Sequence, residues 1–266
     1  MAHSMLMLKL DNPAFNYDKF GLEYSGYRQT DERIAAFVHR ELEGARTILN
    51  VGAGAGSYEP EDKYVVAVEP SSAMRAQRMR NGKVPAIDGK ADALPFDDGA
   101  FDASMAMVTV HHWPDMEKGL RELRRVTKNQ VLVMTFDPEA LDNFWNAEYF
   151  PEVIAVEKAR YPTIDFIRGC LGGETTVIPI PIPLDCKDGF QEAFYGRPEA
   201  FLEKEVRLAQ SAWGFIPDAQ QEAILGRLRM ALEDGSWERK YGRFRTQETF
   251  VGALRLVVGR GSARNE

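Results

Sequence analysis

The chain has 266 residues, 44% of them apolar and 27% charged, which is ordinary for a globular protein able to bury a sizeable core. A net charge of −7 disfavours a nucleic-acid partner, because an acidic surface is repelled by a phosphate backbone unless it carries a local basic face. The two cysteines, Cys170 and Cys186, lack a CxxC spacing and a nearby His pair, so neither a disulfide framework nor a zinc site is suggested, and no apolar run approaches the length of a membrane span.

With that cysteine usage a reducing, cytoplasmic setting is expected, and the opening Met1-Ala2-His3-Ser4-Met5 has no secretory layout. Residues 11–30, with Tyr17, Tyr24 and Tyr27, read as an irregular arm. Thr30 or Asp31 then caps a helix to about Glu43 with Ile34, Phe37, Val38 and Leu42 on one face, and Gly44 ends it. Thr47–Val51 is a buried strand, followed by Gly52-Ala53-Gly54-Ala55-Gly56 and a second strand Tyr64–Val68 that ends at Glu69-Pro70. The crossover of about a dozen residues is near the minimum for a parallel connection.

Ser71 caps a helix to about Arg80. A third strand is expected around Val84–Ile87 and a fourth over Ala103–Val110. Pro114-Asp115 opens a helix to about Lys128, and Gln130–Phe136 is a fifth strand. The basic runs Arg75-Arg78-Arg80 and Arg121-Arg124-Arg125 have helical spacing and read as solvated helix faces. The alternation of strands and helices is the pattern of a doubly wound α/β sheet. Beyond Asp137-Pro138, residues 141–172 read as helical. Thr175–Pro183, with three prolines, can only be an edge strand, residues 188–238 read as an aromatic-rich helical lid, and Thr249–Val258 is a final strand.

Gly52, Gly54 and Gly56 follow a strand, and bare backbone there turns sharply and approaches a ligand closely. Their G-x-G-x-G spacing departs from the dinucleotide fingerprint G-x-G-x-x-G, whose third glycine is Ser57 here. A plain tight turn is the competing explanation. Glu69 ends the next strand, where a carboxylate can accept both hydroxyls of a ribose. Asp92 in Gly89-Lys90-Ala91-Asp92-Ala93-Leu94-Pro95-Phe96 can take an adenine amino group or can be an ordinary polar loop residue.

The run Ile48-Leu49-Asn50-Val51-Gly52-Ala53-Gly54-Ala55-Gly56, then Val66-Ala67-Val68-Glu69-Pro70-Ser71, Ala91-Asp92-Ala93-Leu94-Pro95-Phe96, Phe101-Asp102 and His111-His112-Trp113-Pro114-Asp115, resembles the class I S-adenosylmethionine (SAM) dependent methyltransferases. The subgroup it is most similar to includes ubiquinone/menaquinone-biosynthesis and natural-product methyltransferases. The resemblance covers about residues 15–137. It implies a Rossmann-like, doubly wound, seven-stranded mixed sheet with a helical lid. It also implies that Gly52, Ala53, Gly54 and Gly56 line the methionine part of SAM, that Glu69 with Pro70 holds the ribose, that Asp92 and Ala93 hold the adenine, and that Thr109 and Val110 complete the cofactor site. Asn50 stands where the family often has Asp and Ala53 where it often has Cys or Ser. The first change removes a charge near the methionine ammonium and leaves Tyr17, Tyr24 and Arg28 of the arm to help close that site.

Methyl transfer from a sulfonium is an in-line displacement in which the protein aligns the nucleophile, excludes water and sometimes removes a proton. His111 and His112 follow the fourth strand and Asp137 the fifth. Adjacent strands end side by side, so His111 and Asp137 are the candidate base pair, as is proposed at these places in some natural-product members of the resembled family. The plain alternative is a strand-to-helix turn in which His112, or either histidine, bonds backbone. Trp145 and Tyr149, together with Tyr195 and Arg197 in Tyr-Gly-Arg-Pro, are candidates to line the acceptor pocket alongside His112. Aromatics at helical spacing are otherwise core residues. Arg197 would favour an acceptor bearing a carboxylate or phosphate.

The expectation is therefore an arm over 1–30, a SAM-binding core over 31–137, a helical substrate lid with an edge strand over 138–248, and a last strand with tail over 249–266. The protein would act as a monomer or homodimer on an O, N or C atom of a small metabolite, with no metal. An NAD(P)-dependent oxidoreductase, a SAM- or nucleoside-binding protein without catalysis, and, more distantly, a nucleic-acid methyltransferase are the alternatives.

Overall fold

The computed structural model describes residues 28–261. Asp31 caps the first described helix, α1 (Glu32–Glu41), accepting from the Arg33 amide at 3.0 Å, and Ile34 and Val38 face inward. Strands β1 (Thr47–Val51) and β2 (Tyr64–Val68) follow, then α2 (Ser72–Arg80), whose Ser71 cap accepts from the Met74 amide. Next come β3 (Phe101–Met107), α3 (Met116–Arg125) and β4 (Thr127–Phe136). Then follow α4 (Asn146–Tyr149), α5 (Pro151–Arg160) and α6 (Ile164–Leu171). Strands β5 (Glu174–Pro179) and β6 (Ile182–Pro183) precede α7 (Lys204–Leu208), α8 (Asp218–Glu233) and α9 (Ser236–Tyr241). β7 (Thr249–Phe250) and β8 (Leu254–Arg260) complete the order.

The central sheet has the order β2-β1-β3-β4-β8-β5. Strands β1 to β4 are parallel, whereas β8 runs antiparallel to both β4 and β5. Among the described residues the central sheet has six strands, not seven. The strand expected at Val84–Ile87 survives as a single parallel bridge from Ile87 to Val68. Pro85 has no amide to donate to a ladder, and Val84 and Ile87 are exposed, so pairing there would bury little apolar surface. Strand pairing at the other edge splits the expected 175–183 strand. β5 joins the main sheet, while Ile182 and Pro183 pair with β7 in a separate ribbon.

Period-two alternation sends β4 and β8 into two cores. Leu132, Met134, Leu256 and Val258 face α1 and the lid aromatics. Val131, Val133 and Val257 face α3 and α6, against Leu120, Leu123, Ile167 and Leu171. Both faces of the sheet are thus covered, as parallel strands require. One expected solvated face is different. Arg78 of α2 is fully buried and paired with Glu59, while Arg80 and Arg121 are exposed.

Candidate active site

The chain leaves β1 through glycines with left-handed backbone, Gly52 at φ +66° and Gly54 at φ +51°. The amides of Gly52 and Ala53 both donate to Val68 O, tying the loop to the end of β2. A Cβ on Gly52 would lie 2.1 Å from Thr109 Oγ1, so only glycine lets this turn pass beneath the segment that follows β3. Glu69, six per cent exposed, accepts from the Gly54 amide and the Ser71 amide, each at 2.8 Å, one on each carboxylate oxygen.

These elements open into one cavity of about 530 Å³, a size suited to a nucleoside cofactor. Its wall includes Asn50, Gly52, Ala53, Gly54, Glu69, Pro70, Met74, Gly89, Lys90, Ala91, Thr109 and His112. Asn50 is 1% exposed, and its Nδ2 donates to Glu59 Oε1 at 2.8 Å. Arg78 donates to both oxygens of Glu59, at 2.7 and 2.9 Å. Because the carboxylate only accepts, the amide oxygen of Asn50 is turned away from it and stays buried without a hydrogen-bond partner. The expected loss of a charge at position 50 is therefore real, and the nearest carboxylate is instead neutralised by Arg78. On the other side Arg28 Nε donates to Asp188 Oδ1 at 2.5 Å and Tyr58 OH to Asp188 Oδ2 at 2.7 Å, joining the arm, the core and the lid. Burial, then the Asp188 charge, holds the Tyr58 hydroxyl well above its usual range, so it remains a donor.

A second, small cavity of about 40 Å³ adjoins the first and shares Arg28, Val108 and His112 with it. Val108 sits at φ +51°, a costly conformation for a β-branched residue, at the boundary between the two spaces. Phe136, Leu141, Tyr161 and Phe190 form the apolar part of the inner wall. His111, Glu157, Gln191, Glu192, Gln210 and Ser211 form the polar part. Burial, reinforced by His112, Arg160 and Arg28, holds His111 well below the usual histidine range, so it is neutral. Its Nδ1 is buried without a hydrogen-bond partner. His112 is likewise held low by burial, then by Arg160 and Arg28. Burial raises Glu157 against the opposing pull of Arg160 and Gln191. It pushes Glu192 up to about 7 against the opposing Ala253 amide and Arg255.

The sequence candidates fall into three groups. Arg28, Gly52, Ala53, Gly54, Glu69, Pro70, Thr109 and His112 share the large cavity, and His111 and His112 share the small one. Gly56, at φ +95°, shapes the loop behind the wall, and Asp92, Ala93 and Val110 lie next to wall residues rather than in it. Val110 is 1% exposed in the α3 core. Tyr17 lies outside the described residues.

The third group is elsewhere. Strand alternation points Phe136 into the inner cavity, so Asp137 turns the other way. It lines a separate depression with Thr163 and Arg168 and faces Arg255 at 4.0 Å, and it does not meet His111. Trp145 is packed in the lid core against Phe201 and Trp237, and its indole donates to Tyr195 O. Tyr149 belongs to the same core, and its carbonyl accepts from Arg227. Tyr195 OH donates to Gln247 O. Arg197 donates to Cys186 O and Ala193 O and covers the Phe194 ring. Sequence reasoning did not find Glu59, Glu157, Arg160, Glu192 or Gln210. The Arg78 run was the one local signal for Glu59, since a guanidinium inside a helix face needs a buried counter-charge.

Residues 49–135 match the family model described as a methyltransferase domain. Over 121 residues the chain is 31% identical to an uncharacterised methyltransferase of Bacillus subtilis, covering 40% of this chain and 48% of that protein. It is 31% identical over 134 residues to a malonyl-[acyl-carrier protein] O-methyltransferase of Erwinia pyrifoliae, covering 46% and 51%. The chain thus spans about half the length, or less, of the curated relatives it matches. A crystal structure of a putative methyltransferase from an antibiotic-biosynthesis pathway of Anabaena variabilis superposes with TM-score 0.79 at 27% identity, covering 88% of this chain and 99% of that one. The fold is Rossmann-like, and the stretch that carries the glycine loop is the part that matches a methyltransferase domain. Residues 49–135 are that domain's matched core, and the likeness of fold extends through the lid.

Proposed function

We propose that this protein transfers a methyl group from SAM to an O, N or C atom of a small molecule. The observation that carries the reading is the continuity of two spaces. A glycine-lined cavity with a buried carboxylate at the adjacent strand end shares Arg28, Val108 and His112 with a small pocket of apolar and polar groups. SAM, when bound, supplies an electrophilic methyl carbon on a sulfonium.

The residues of this chain would do the rest. The Glu69 carboxylate, held at the end of β2, would accept from ribose hydroxyls, and the unpartnered amide oxygen of Asn50 can accept from an ammonium group. Val108 and His112 separate the spaces and exclude water from the methyl-facing side. Neutral His111, with a basic nitrogen and no partner, can take a proton from a hydroxyl or amine. With this reading goes a cytoplasmic monomer or homodimer. No helix among the described residues is long and apolar enough to cross a membrane.

The test is transfer of a labelled methyl group from SAM into a small-molecule extract by purified protein, followed by identification of the labelled product. Product that requires intact Glu69 is expected. SAM binding without transfer to any acceptor would leave a binding protein, and binding of NAD(P)H in place of SAM would overturn the reading.

A further inference from the structure

We infer that Arg160 fixes the proton of His112 on Nε2, so that the two adjacent histidines divide their roles: His112 is a neutral hydrogen-bond donor between the cavities, and His111 is the imidazole that can accept a proton. The observation is a contact on the hidden side of the ring. Arg160, the last residue of α5 and 5% exposed, places Nη2 at 3.1 Å from His112 Nδ1. Its position is set from two further directions. Nη1 donates to Ser211 Oγ at 2.9 Å, and the guanidinium lies 4.7 Å from the centre of the Phe215 ring.

A guanidinium has donors only and does not lose its proton. His112 Nδ1 must therefore accept, and a neutral imidazole then carries its one hydrogen on Nε2. Protonating His112 would set two N–H groups and two positive charges against each other in a buried site. Among the described residues, the groups near this imidazole include Arg160 from α5, Arg28 from the arm, and His111 beside it, with ring centres 3.9 Å apart. Arg28 is matched by Asp188, and Glu157 lies one turn before Arg160 on the same helix. His111, by contrast, meets Tyr161 ring to ring and keeps Nδ1 without a partner. Arg160 is thus a positioning residue acting through His112. The proton assignment stands independently of methyl transfer, whereas the division of catalytic roles rests on that reading.

The experiment uses full-length protein labelled with 15N at histidine. Long-range 1H–15N spectra are assigned by comparison with His112→Asn. In the unmodified protein, His112 is expected to show an unprotonated Nδ1 and a protonated Nε2, unchanged from about pH 8 to about pH 5. In Arg160→Met, the protonation midpoint of His112 is expected to rise by about one pH unit or more, a tenfold change in proton affinity, while Arg160→Lys, which keeps a cation, stays nearer the unmodified protein. A proton on Nδ1, titration near the ordinary histidine value in the unmodified protein, or an unchanged midpoint in Arg160→Met would overturn the inference. If Arg160→Met does not fold, the unmodified protein's spectra decide alone. SAM calorimetry on the same samples separates the two claims, since absent SAM binding with the expected spectra removes the catalytic role and leaves the proton assignment.

Discussion

Asn50 Nδ2 donates to Glu59 Oε1 at 2.8 Å, and this bond orients the amide at the end of β1 so that its oxygen is left unpartnered beside the large cavity. Arg78, fully buried, neutralises Glu59 from the other side. An aspartate at position 50 would bring two carboxylates into contact across the same distance. Asn50→Asp is therefore expected to lower the melting temperature at neutral pH, with the deficit shrinking as the pH falls and one carboxyl takes a proton. Adding Glu59→Gln should recover part of the loss, giving a coupling of roughly 0.5–3 kcal/mol in a double-mutant cycle. Strict additivity would contradict this arrangement.

Gly52→Ala tests the loop. The new methyl group meets Thr109 Oγ1, and the left-handed backbone disfavours any side chain. Weakened SAM binding and a stability loss of about 1–3 kcal/mol are expected. Thr109→Ala in the same chain should restore part of the stability but not all of it, because the backbone strain remains. Thermal denaturation and calorimetry read both effects.

What was legible in the sequence was local. Glycines at 52, 54 and 56 announce a turn that bare backbone requires, and the place of Glu69 follows from where parallel strands end. No strand forms at 84–87, because Pro85 has no amide for a ladder and nothing buries Val84 and Ile87. Asp137 was placed by counting strand ends, whereas strand alternation gives the inward direction to Phe136. The inner pocket was not legible at all. Glu157, Gln191, Glu192 and Gln210 come together only through lid packing, and no single one of them is marked by its neighbours in sequence. Trp145, Tyr149 and Tyr195 show the reverse error, since their aromatic character serves the core.

Glu192 makes stability depend on pH in a definite direction. Burial raises its carboxyl to about 7, so between the ordinary glutamate value and about 7 the folded state holds a proton that the unfolded state has released. Stability from this group is full in acid and declines as pH rises through that window. Glu192→Gln is expected to remove about one proton's worth of that slope and to raise the melting temperature relative to the unmodified protein above pH 7. An unchanged slope in thermal melts would contradict this.

Arg197→Ala is expected to act on the lid alone. Its guanidinium is committed to Cys186 O and Ala193 O and stacks on Phe194, and it lines neither cavity. Lower thermal stability with SAM affinity unchanged is the expected outcome. A selective rise in acceptor KM would instead return Arg197 to the binding site.

The most direct measurement is calorimetric titration of SAM into the purified protein and into Glu69→Ala. Hydrogen bonds to a charged carboxylate contribute about 1.5–3 kcal/mol each, so stoichiometric binding to the unmodified protein and a loss of at least tenfold in affinity for the variant are expected. Undiminished affinity after removal of the Glu69 carboxylate, or no heat of binding in either protein, would contradict the assignment of the cavity between β1 and β2 to this cofactor.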